Sequence, residues 1–324
     1  MKYINMPGTG LVVSKACLGT MTFGGQVSEA DAIGIVHAAA DEGINYIDTA
    51  NIYTKGESER IVGKALKGER DNWVLETKVC NVVGEGPNDN GLSRRHIMKA
   101  VEDSLTRLQT DYIDVYYLHR PDHRTPFEET MRAMDDLIHQ GKVRYIGISN
   151  FAVWQTLDIL NLCRAKLLNG PVIMQTVYNL LTRGIEDELL PMTEAHDMGV
   201  MVYNPLASGM LTGKFKRGEA PLEGTRLATS KMYTDRYWND DNLAATEQFA
   251  AIAKEAGISL IDMSMRFVAN SPGVSCVLLG VSKPNHLQQN LASVLAGRLD
   301  EGTLKAIDSV YERLPLGNRF KYYR

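Results

Sequence analysis

Four side chains capable of proton transfer stand at or just after the predicted ends of buried strands. Asp48 closes INYID, Tyr53 follows it five residues later, Lys78 closes WVLETK, and His119 closes YIDVYYLH. A nearby ammonium favours a phenolate, so Lys78 is expected to lower the pKa of Tyr53 from its reference value of about 10. Asp48 would keep the lysine charged, and His119 would orient a substrate oxygen or relay the proton. Together the four residues predict proton delivery to an oxygen atom.

Glu76 adds a second carboxylate to the strand that carries Lys78. The two residues are two positions apart, so their side chains would project from the same face of the strand. Glu76 is therefore either a stabilising partner of the lysine or a modifier of its pKa. The simplest alternative for the whole group is a buried ion pair between Lys78 and Asp48 that only joins two strands.

A metal site is the competing chemistry for this region. The run HRPDH supplies His119, Asp122 and His123, which would suit metal-dependent hydrolysis or isomerisation. The charge of Lys78 at the same place would repel a cation, so no metal is expected. The four cysteines are scattered without CxxC spacing, which argues against a zinc site or a disulfide framework and indicates a reducing compartment.

The elements that must position these side chains alternate between helix and strand. The first helix begins at the cap residue Ser28, carries apolar residues at helical spacing and ends at Gly43. Helices are predicted near 28–43, 57–67, 93–108, 126–140, 152–163, 186–198, 243–256, 259–269 and 284–295. Strands are predicted in ACLG, INYID, WVLETK, YIDVYYLH, VRYIGIS, VIMQ, VMVYNP and CVLLG.

Eight strands separated by helices predict parallel β/α units, and eight is the number that closes a TIM barrel. The alternative is a doubly wound open sheet, which usually carries a GxGxxG phosphate loop after its first strand; LGTMTFGG lacks that spacing. We therefore predict a (β/α)8 TIM barrel, with residues 1–324 forming one domain. The polar strand ends would then meet at the C-terminal face, where barrel enzymes keep their chemistry.

Four segments fall outside the repeat. Residues 2–14 predict a hairpin that plugs the N-terminal end of the barrel. The segments 80–92 and 205–242 predict long loops on the C-terminal face. The tail is predicted to be a helix from about residue 300, followed by RFKYYR.

The charge balance and the apolar pattern exclude several classes of partner. The chain has 35 basic and 39 acidic residues, for a net charge of −4, without a long run of either sign. This balance argues against nucleic acid or a membrane surface as a binding partner. The N-terminus has no apolar signal region, so we expect a cytoplasmic protein.

The chain as a whole resembles the aldo-keto reductases, and within them the bacterial enzymes similar to the potassium-channel β-subunit branch. The resemblance spans residues from about 12 to 290 in VSKACLGTMTFG, GINYIDTANIY, ETKV, GLSRRHIMKAVEDSLTRLQTDYIDVYYLHRPD, GKVRYIGISNF, YNPLASGMLTGK and LLGVSKPNHLQQN. It implies a TIM barrel, NADPH as the cofactor, and reversible reduction of an aldehyde, ketone or sugar carbonyl. A small carbonyl or sugar substrate is then the expected partner.

The resemblance also implies roles for individual residues. Tyr53 would be the general acid, with Lys78 and Asp48 as its tuning partners, and His119 would orient the substrate. The residues implied for the cofactor are Gly19, Thr20 and Met21 beneath its reactive end; Ser149, Asn150 and Gln175 at the nicotinamide carboxamide; Tyr203 against the ring; Asn204, Leu206, Ser208, Leu211, Gly213 and Lys214 along the pyrophosphate; and Gly280, Ser282, Lys283, His286, Gln289 and Asn290 toward the adenosine.

The turn before the last predicted helix has a physical reason to bind a phosphate. Helix N-terminal amides are unpaired, and the charge of Lys283 beside them suits a 2′-phosphate, which favours NADPH over NADH. A solvated turn lysine is the alternative. The family pattern has glutamine and glutamate at the positions of His286 and Gln289, serine at Asn204 and a small residue at Glu76.

A second class of function stays open: a cofactor-sensing regulatory subunit that binds NADPH with incidental turnover. The substrate and the oligomeric state are not specified by the sequence, because loops set specificity in a barrel. Candidate pocket walls are Phe23, Trp154, Tyr233, Tyr237 and Trp238.

Overall fold

A hairpin and a closed parallel barrel form the framework of the computed structural model, which describes residues 1–315 apart from the side chain of Pro284. The strands are β1 (Tyr3–Asn5), β2 (Val12–Ser14), β3 (Ala16–Gly19), β4 (Tyr46–Asp48), β5 (Val74–Val79), β6 (Ile113–Leu118), β7 (Val143–Ser149), β8 (Pro171–Val177), β9 (Gly199–Tyr203) and β10 (Cys276–Gly280). Strands β3 to β10 pair in chain order, and β10 closes the ring against β3. The predicted (β/α)8 TIM barrel is confirmed.

Helices connect the strands on the outside of the barrel. They are α1 (Glu29–Asp41), α2 (Glu57–Ala65), α3 (Arg94–Leu108), α4 (Phe127–His139), α5 (Val153–Lys166), α6 (Leu189–Ala195), α7 (Arg226–Thr229), α8 (Lys231–Tyr237), α9 (Asp240–Glu255), α10 (Leu260–Asn270), α11 (Pro284–Leu295) and α12 (Glu301–Glu312). Ser28 and Ser93 cap α1 and α3 by accepting hydrogen bonds from backbone amides three residues later. The cap signals in the sequence therefore mark real helix starts.

The segment 205–242 is more ordered than the long loop predicted from the sequence. It contains a 3-10 turn at Ala207–Thr212 and the short helices α7 and α8. Helix α9 begins at Asp240, earlier than predicted, because the Asn239 side chain accepts a hydrogen bond from the amide of Asn242. The predicted RFKYYR tail lies outside the described residues.

The predicted hairpin closes the N-terminal end of the barrel. Strands β1 and β2 pair antiparallel, and Met6 between them is fully buried against the barrel interior. Gly199, the first residue of β9, makes room for it: a Cβ there would lie 2.2 Å from the Met6 sulfur. The opposite, C-terminal end of the barrel is left as the open face.

No helix within residues 1–315 is long and apolar enough to cross a membrane. All four cysteines are buried free thiols, and burial raises the pKa of Cys80 and Cys163 to about 11.

Candidate active site

A cavity of about 620 Å³ opens at the carboxyl ends of the barrel strands. It brings together most of the residues singled out in the sequence. Those that line it are Gly19, Met21, Asp48, Tyr53, His119, Ser149, Asn150, Gln175, Tyr203, Asn204, Leu206, Ser208, Lys214, Gly280, Ser282 and Asn290.

The other predicted site residues lie outside this lining. Lys78 is fully buried beneath the cavity floor, and Thr20 is fully buried with its hydroxyl donating to the backbone carbonyl of Asp48 at 2.8 Å. Leu211 packs in the core. The remaining ones are Gly213, Lys283, His286 and Gln289.

Lys78 and Asp48 form a buried ion pair under Tyr53. The Lys78 ammonium donates a short hydrogen bond to Asp48 Oδ1, another to the Thr49 carbonyl at 2.7 Å, and a long one to the Tyr53 hydroxyl at 3.4 Å. The loop after β4 makes this possible, because the Asn51 amide bonds to the Lys78 carbonyl and draws the chain back across β5. The tyrosine hydroxyl thus stands between the ammonium and the cavity.

The pKa of Tyr53 differs from the one expected from the sequence. Burial raises the pKa of Tyr53 well above its ordinary value; Lys78 pulls it down, but not enough to reverse the rise, and Asp48 raises it further. The lysine is less effective than expected because its charge is largely matched by the carboxylate beside it. Burial alone would lower the pKa of Lys78, but the Asp48 carboxylate and the acidic groups of Tyr53 and Glu76 together outweigh this, so the lysine stays charged. The prediction that Tyr53 is acidified is therefore wrong for this structure.

Glu76 does not pair with Lys78, although their side chains do share the inner face of β5. Within residues 1–315 no hydrogen bond or ion pair joins them; instead, the Gln175 amide nitrogen donates to Asp48 Oδ1 at 2.8 Å and to Glu76 Oε1 at 3.0 Å. Burial, followed by the neighbouring Asp48 charge, raises the pKa of Glu76 well above its ordinary value. Glu76 thus lies beneath the ion pair in surroundings that favour its neutral form.

Asn81 is the residue that sequence reasoning missed. Its amide nitrogen lies 3.0 Å from His119 Nδ1, and its amide oxygen accepts a hydrogen bond from Arg120 Nε at 3.0 Å. An amide NH₂ can only donate, so His119 Nδ1 is the acceptor and the ring proton is on Nε2. The His119 ring stands edge-on to Tyr53, with centroids 6.0 Å apart. The sequence signal for Asn81 was its place two residues after β5.

Asn150 ties three strand ends together. Its amide nitrogen donates to the His119 carbonyl and to Ser149 Oγ, both at 2.9 Å, and its amide oxygen accepts from the Tyr203 hydroxyl at 2.7 Å. A φ of 64° lets the residue turn back into the mouth, a conformation that asparagine tolerates better than most residues. The ends of β6, β7 and β9 are therefore held in one hydrogen-bonded group.

The loop after β9 has the geometry of an anion cradle. Residues 207 to 209 all have positive φ, and Asn204 stabilises the turn by accepting the Ser208 amide at 2.7 Å and donating to the Tyr237 hydroxyl at 3.0 Å. Consecutive backbone amides in such turns form anion-binding concavities. Lys214 and Arg226 line the same part of the cavity. The donor set fits a phosphate group, with the Asn204 side chain committed to the turn itself.

Of the predicted pocket walls, Tyr233 alone lines the cavity. Phe23 and Tyr237 lie in the core, and Trp238 packs edge-on against Phe215 with ring centroids 5.3 Å apart. Trp154 is 60% exposed on α5.

The HRPDH run is occupied by structural contacts. Asp122 accepts hydrogen bonds from the amides of Leu92 and Arg124, which help to lower its pKa to about 2. Within residues 1–315, no group of three or more histidine, cysteine or acidic side chains could hold a metal ion.

Comparison with known proteins gives a consistent picture. The model of the aldo/keto reductase family matches residues 15–312. The chain is 37% identical over 300 residues to a "Probable voltage-gated potassium channel subunit beta" of Oryza sativa subsp. japonica, covering 91% of each chain. It is 35% identical over 322 residues to "Uncharacterized oxidoreductase YrpG" of Bacillus subtilis (96% of each), and 34% identical over 330 residues to "Aldo-keto reductase YhdN" of the same species, covering 99% of this chain and 97% of that one.

Proposed function

Because this chain belongs to the aldo/keto reductase family, we propose that it is an NADP(H)-dependent oxidoreductase that reversibly reduces an aldehyde, ketone or sugar carbonyl to an alcohol. The observation that carries the proposal is the buried Lys78–Asp48 pair directly beneath the Tyr53 hydroxyl at the cavity floor. We further propose that residues 1–324 form a single domain and that the protein is cytoplasmic.

In this proposal Tyr53 is the general acid. A raised pKa keeps its phenol protonated at neutral pH, which suits a group that must give its proton to a developing alkoxide. The Lys78 ammonium then stabilises the phenolate left behind, and Asp48 holds that ammonium in place. His119, with its proton on Nε2, donates a hydrogen bond to the substrate oxygen. In the reverse direction the phenolate accepts the alcohol proton.

The reduced nicotinamide cofactor, when bound, supplies the hydride. Ser149, Asn150 and Gln175 would hold the carboxamide, with Tyr203 against the ring and Gly19, Thr20 and Met21 beneath. The turn from Asn204 and Leu206 through Ser208, Leu211 and Gly213 to Lys214 would hold the pyrophosphate. The last group, Gly280, Ser282, Lys283, His286, Gln289 and Asn290, would take the adenosine and its 2′-phosphate at the start of α11.

A panel of carbonyl substrates tests the proposal, with cofactor absorbance followed for NADPH and NADH side by side. The expected result is turnover of at least one substrate class and a preference for NADPH. The relative from Oryza sativa is named as a channel subunit, so a cofactor-sensing regulator is the second candidate. Tight NADPH binding with very slow oxidation on every substrate would favour the regulator and contradict the reductase.

A further inference from the structure

Arg120 is a cation at the reactive end of the cavity whose charge no carboxylate of residues 1–315 pairs with. It follows His119 in the chain and lines the cavity together with Asn81 and His119. Its side chain is half-buried, so its charge is partly removed from water. Within residues 1–315 its only side-chain hydrogen bond runs from Nε to Asn81 Oδ1. The two terminal guanidinium nitrogens therefore have no acceptor among the described residues.

The nearest acidic residue in the chain does not neutralise this charge. Asp122 accepts hydrogen bonds from two backbone amides and pairs with Arg124. Asp48, on the cavity floor, is paired with Lys78. Among the described residues no carboxylate lies within ion-pair distance of Arg120. A half-desolvated cation without a counter-charge is unfavourable, and a bound anion would compensate it.

The position of Arg120 separates it from the other cations of the cavity. Lys214 and Arg226 belong to the segment after β9, where the cradle for the cofactor phosphates lies. Arg120 belongs to the end of β6, beside the ring that faces Tyr53. If the cofactor phosphates occupy the cradle, the Arg120 guanidinium stays available to bind the substrate.

Asn81 fixes the position of the His119 ring relative to the Arg120 guanidinium. One amide holds the His119 ring through its nitrogen and the Arg120 guanidinium through its oxygen. The planar Asn81 amide thus sets the distance between His119, which donates to the substrate oxygen, and the Arg120 guanidinium. An arginine held in this way presents a planar pair of donors, which matches the two oxygens of a carboxylate or phosphate.

We propose that Arg120 is the anion subsite of the substrate pocket, so that the preferred substrates are aldehydes or ketones carrying a carboxylate or a phosphate a few atoms from the carbonyl. This inference rests on the proposed reductase function and names its substrate class. Asn81 is the positioning residue of the subsite. Carboxylate and phosphate share the recognition chemistry, and matched substrates distinguish them.

The test compares charged and neutral aldehydes of similar size. Succinic semialdehyde is paired with butanal, and glyceraldehyde 3-phosphate with glyceraldehyde, each at saturating NADPH. Wild type is expected to prefer the anionic member of at least one pair. Arg120→Met should lower kcat/KM for that anionic substrate about 10- to 100-fold, mainly through KM, and change the neutral partner by less than about 2-fold. Arg120→Lys should recover part of the loss.

The matched control is Arg124→Met, an exposed arginine of the same loop, which should leave both members of each pair unchanged. NADPH binding, followed by fluorescence, checks that each variant is folded and loaded. If Arg120→Met lowers both members of a pair equally, or neither, the subsite is overturned while the reductase stands. If wild type turns over no aldehyde at all, the proposed function fails and the subsite fails with it.

Discussion

The two halves of the barrel contribute different kinds of groups to one cavity. Ionisable side chains, namely Asp48, Lys78 and His119, stand at or within one residue of the ends of β4, β5 and β6. The residues at or near the ends of β3 and of β7 to β10 carry hydroxyls, amides or glycine backbones, and the turn after β9 exposes its backbone through a run of positive φ. Chemistry at an oxygen needs charges fixed on rigid strands, whereas a long ligand needs many neutral donors spread over loops. The comparison predicts that variants in the first half impair turnover and variants in the second half impair binding.

The largest loss of turnover is expected from a variant in the first half of the barrel. Tyr53→Phe removes the only proposed acid, and its turnover should fall by about 10³-fold, within the range for lost acid catalysis. NADPH affinity should change little, because the hydroxyl faces the substrate side. The measurement is kcat together with the NADPH dissociation constant, with the exposed Tyr3→Phe as control. Near-normal turnover would disprove the acid assignment.

A variant in the second half of the barrel is expected to have a smaller effect, on cofactor binding and not on turnover. Lys214→Met removes a cation from the phosphate cradle, so KM for NADPH should rise about 10-fold while kcat stays within about 2-fold. Steady-state kinetics with varied NADPH measure both constants, and Lys216→Met is the neighbouring control. A loss confined to kcat would contradict the division between the halves.

Asn81→Ala tests how far the first half depends on a neutral group. Without the amide, the proton of the His119 ring is no longer confined to Nε2, so kcat should fall about 10-fold, and for anionic substrates KM should rise as well because Arg120 loses its acceptor. The affinity for NADPH should change little, since Asn81 contacts the catalytic side of the cavity. A variant with normal kcat would show that Asn81 does not orient His119.

The smallest effect concerns stability. The pKa of Glu76 is raised on folding, so the stability gained by keeping it neutral is complete below the pKa of an unfolded glutamate and is lost as the pH rises toward the folded value. Glu76→Gln is neutral at every pH. Its Tm relative to wild type should therefore increase by a few degrees as the pH rises above about 4. A pH-independent difference would mean that Glu76 is ionised in the fold.

The sequence predicted the barrel because strand and helix signals repeat and because caps such as Ser28 and Ser93 act locally. It also located the four proton-transfer candidates, since strand ends of a parallel barrel must converge. Asn81 escaped prediction because its reach depends on the turn after β5, where Cys80 has a φ of 143°. The direction of the Tyr53 pKa shift was wrong because it depends on the depth of burial, which no local pattern encodes.

The pairing of β10 with β3 has a consequence for synthesis of the chain on the ribosome. One edge of β3 pairs with β4, but the other edge finds its partner only at Val277 to Gly280, and the Lys15 ammonium reaches the Val274 carbonyl across 259 positions. Until β10 emerges, that edge of β3 is unpaired and can recruit other strands. We expect nascent chains that stop before residue 276 to depend on chaperones, and release of that dependence to coincide with closure of the ring.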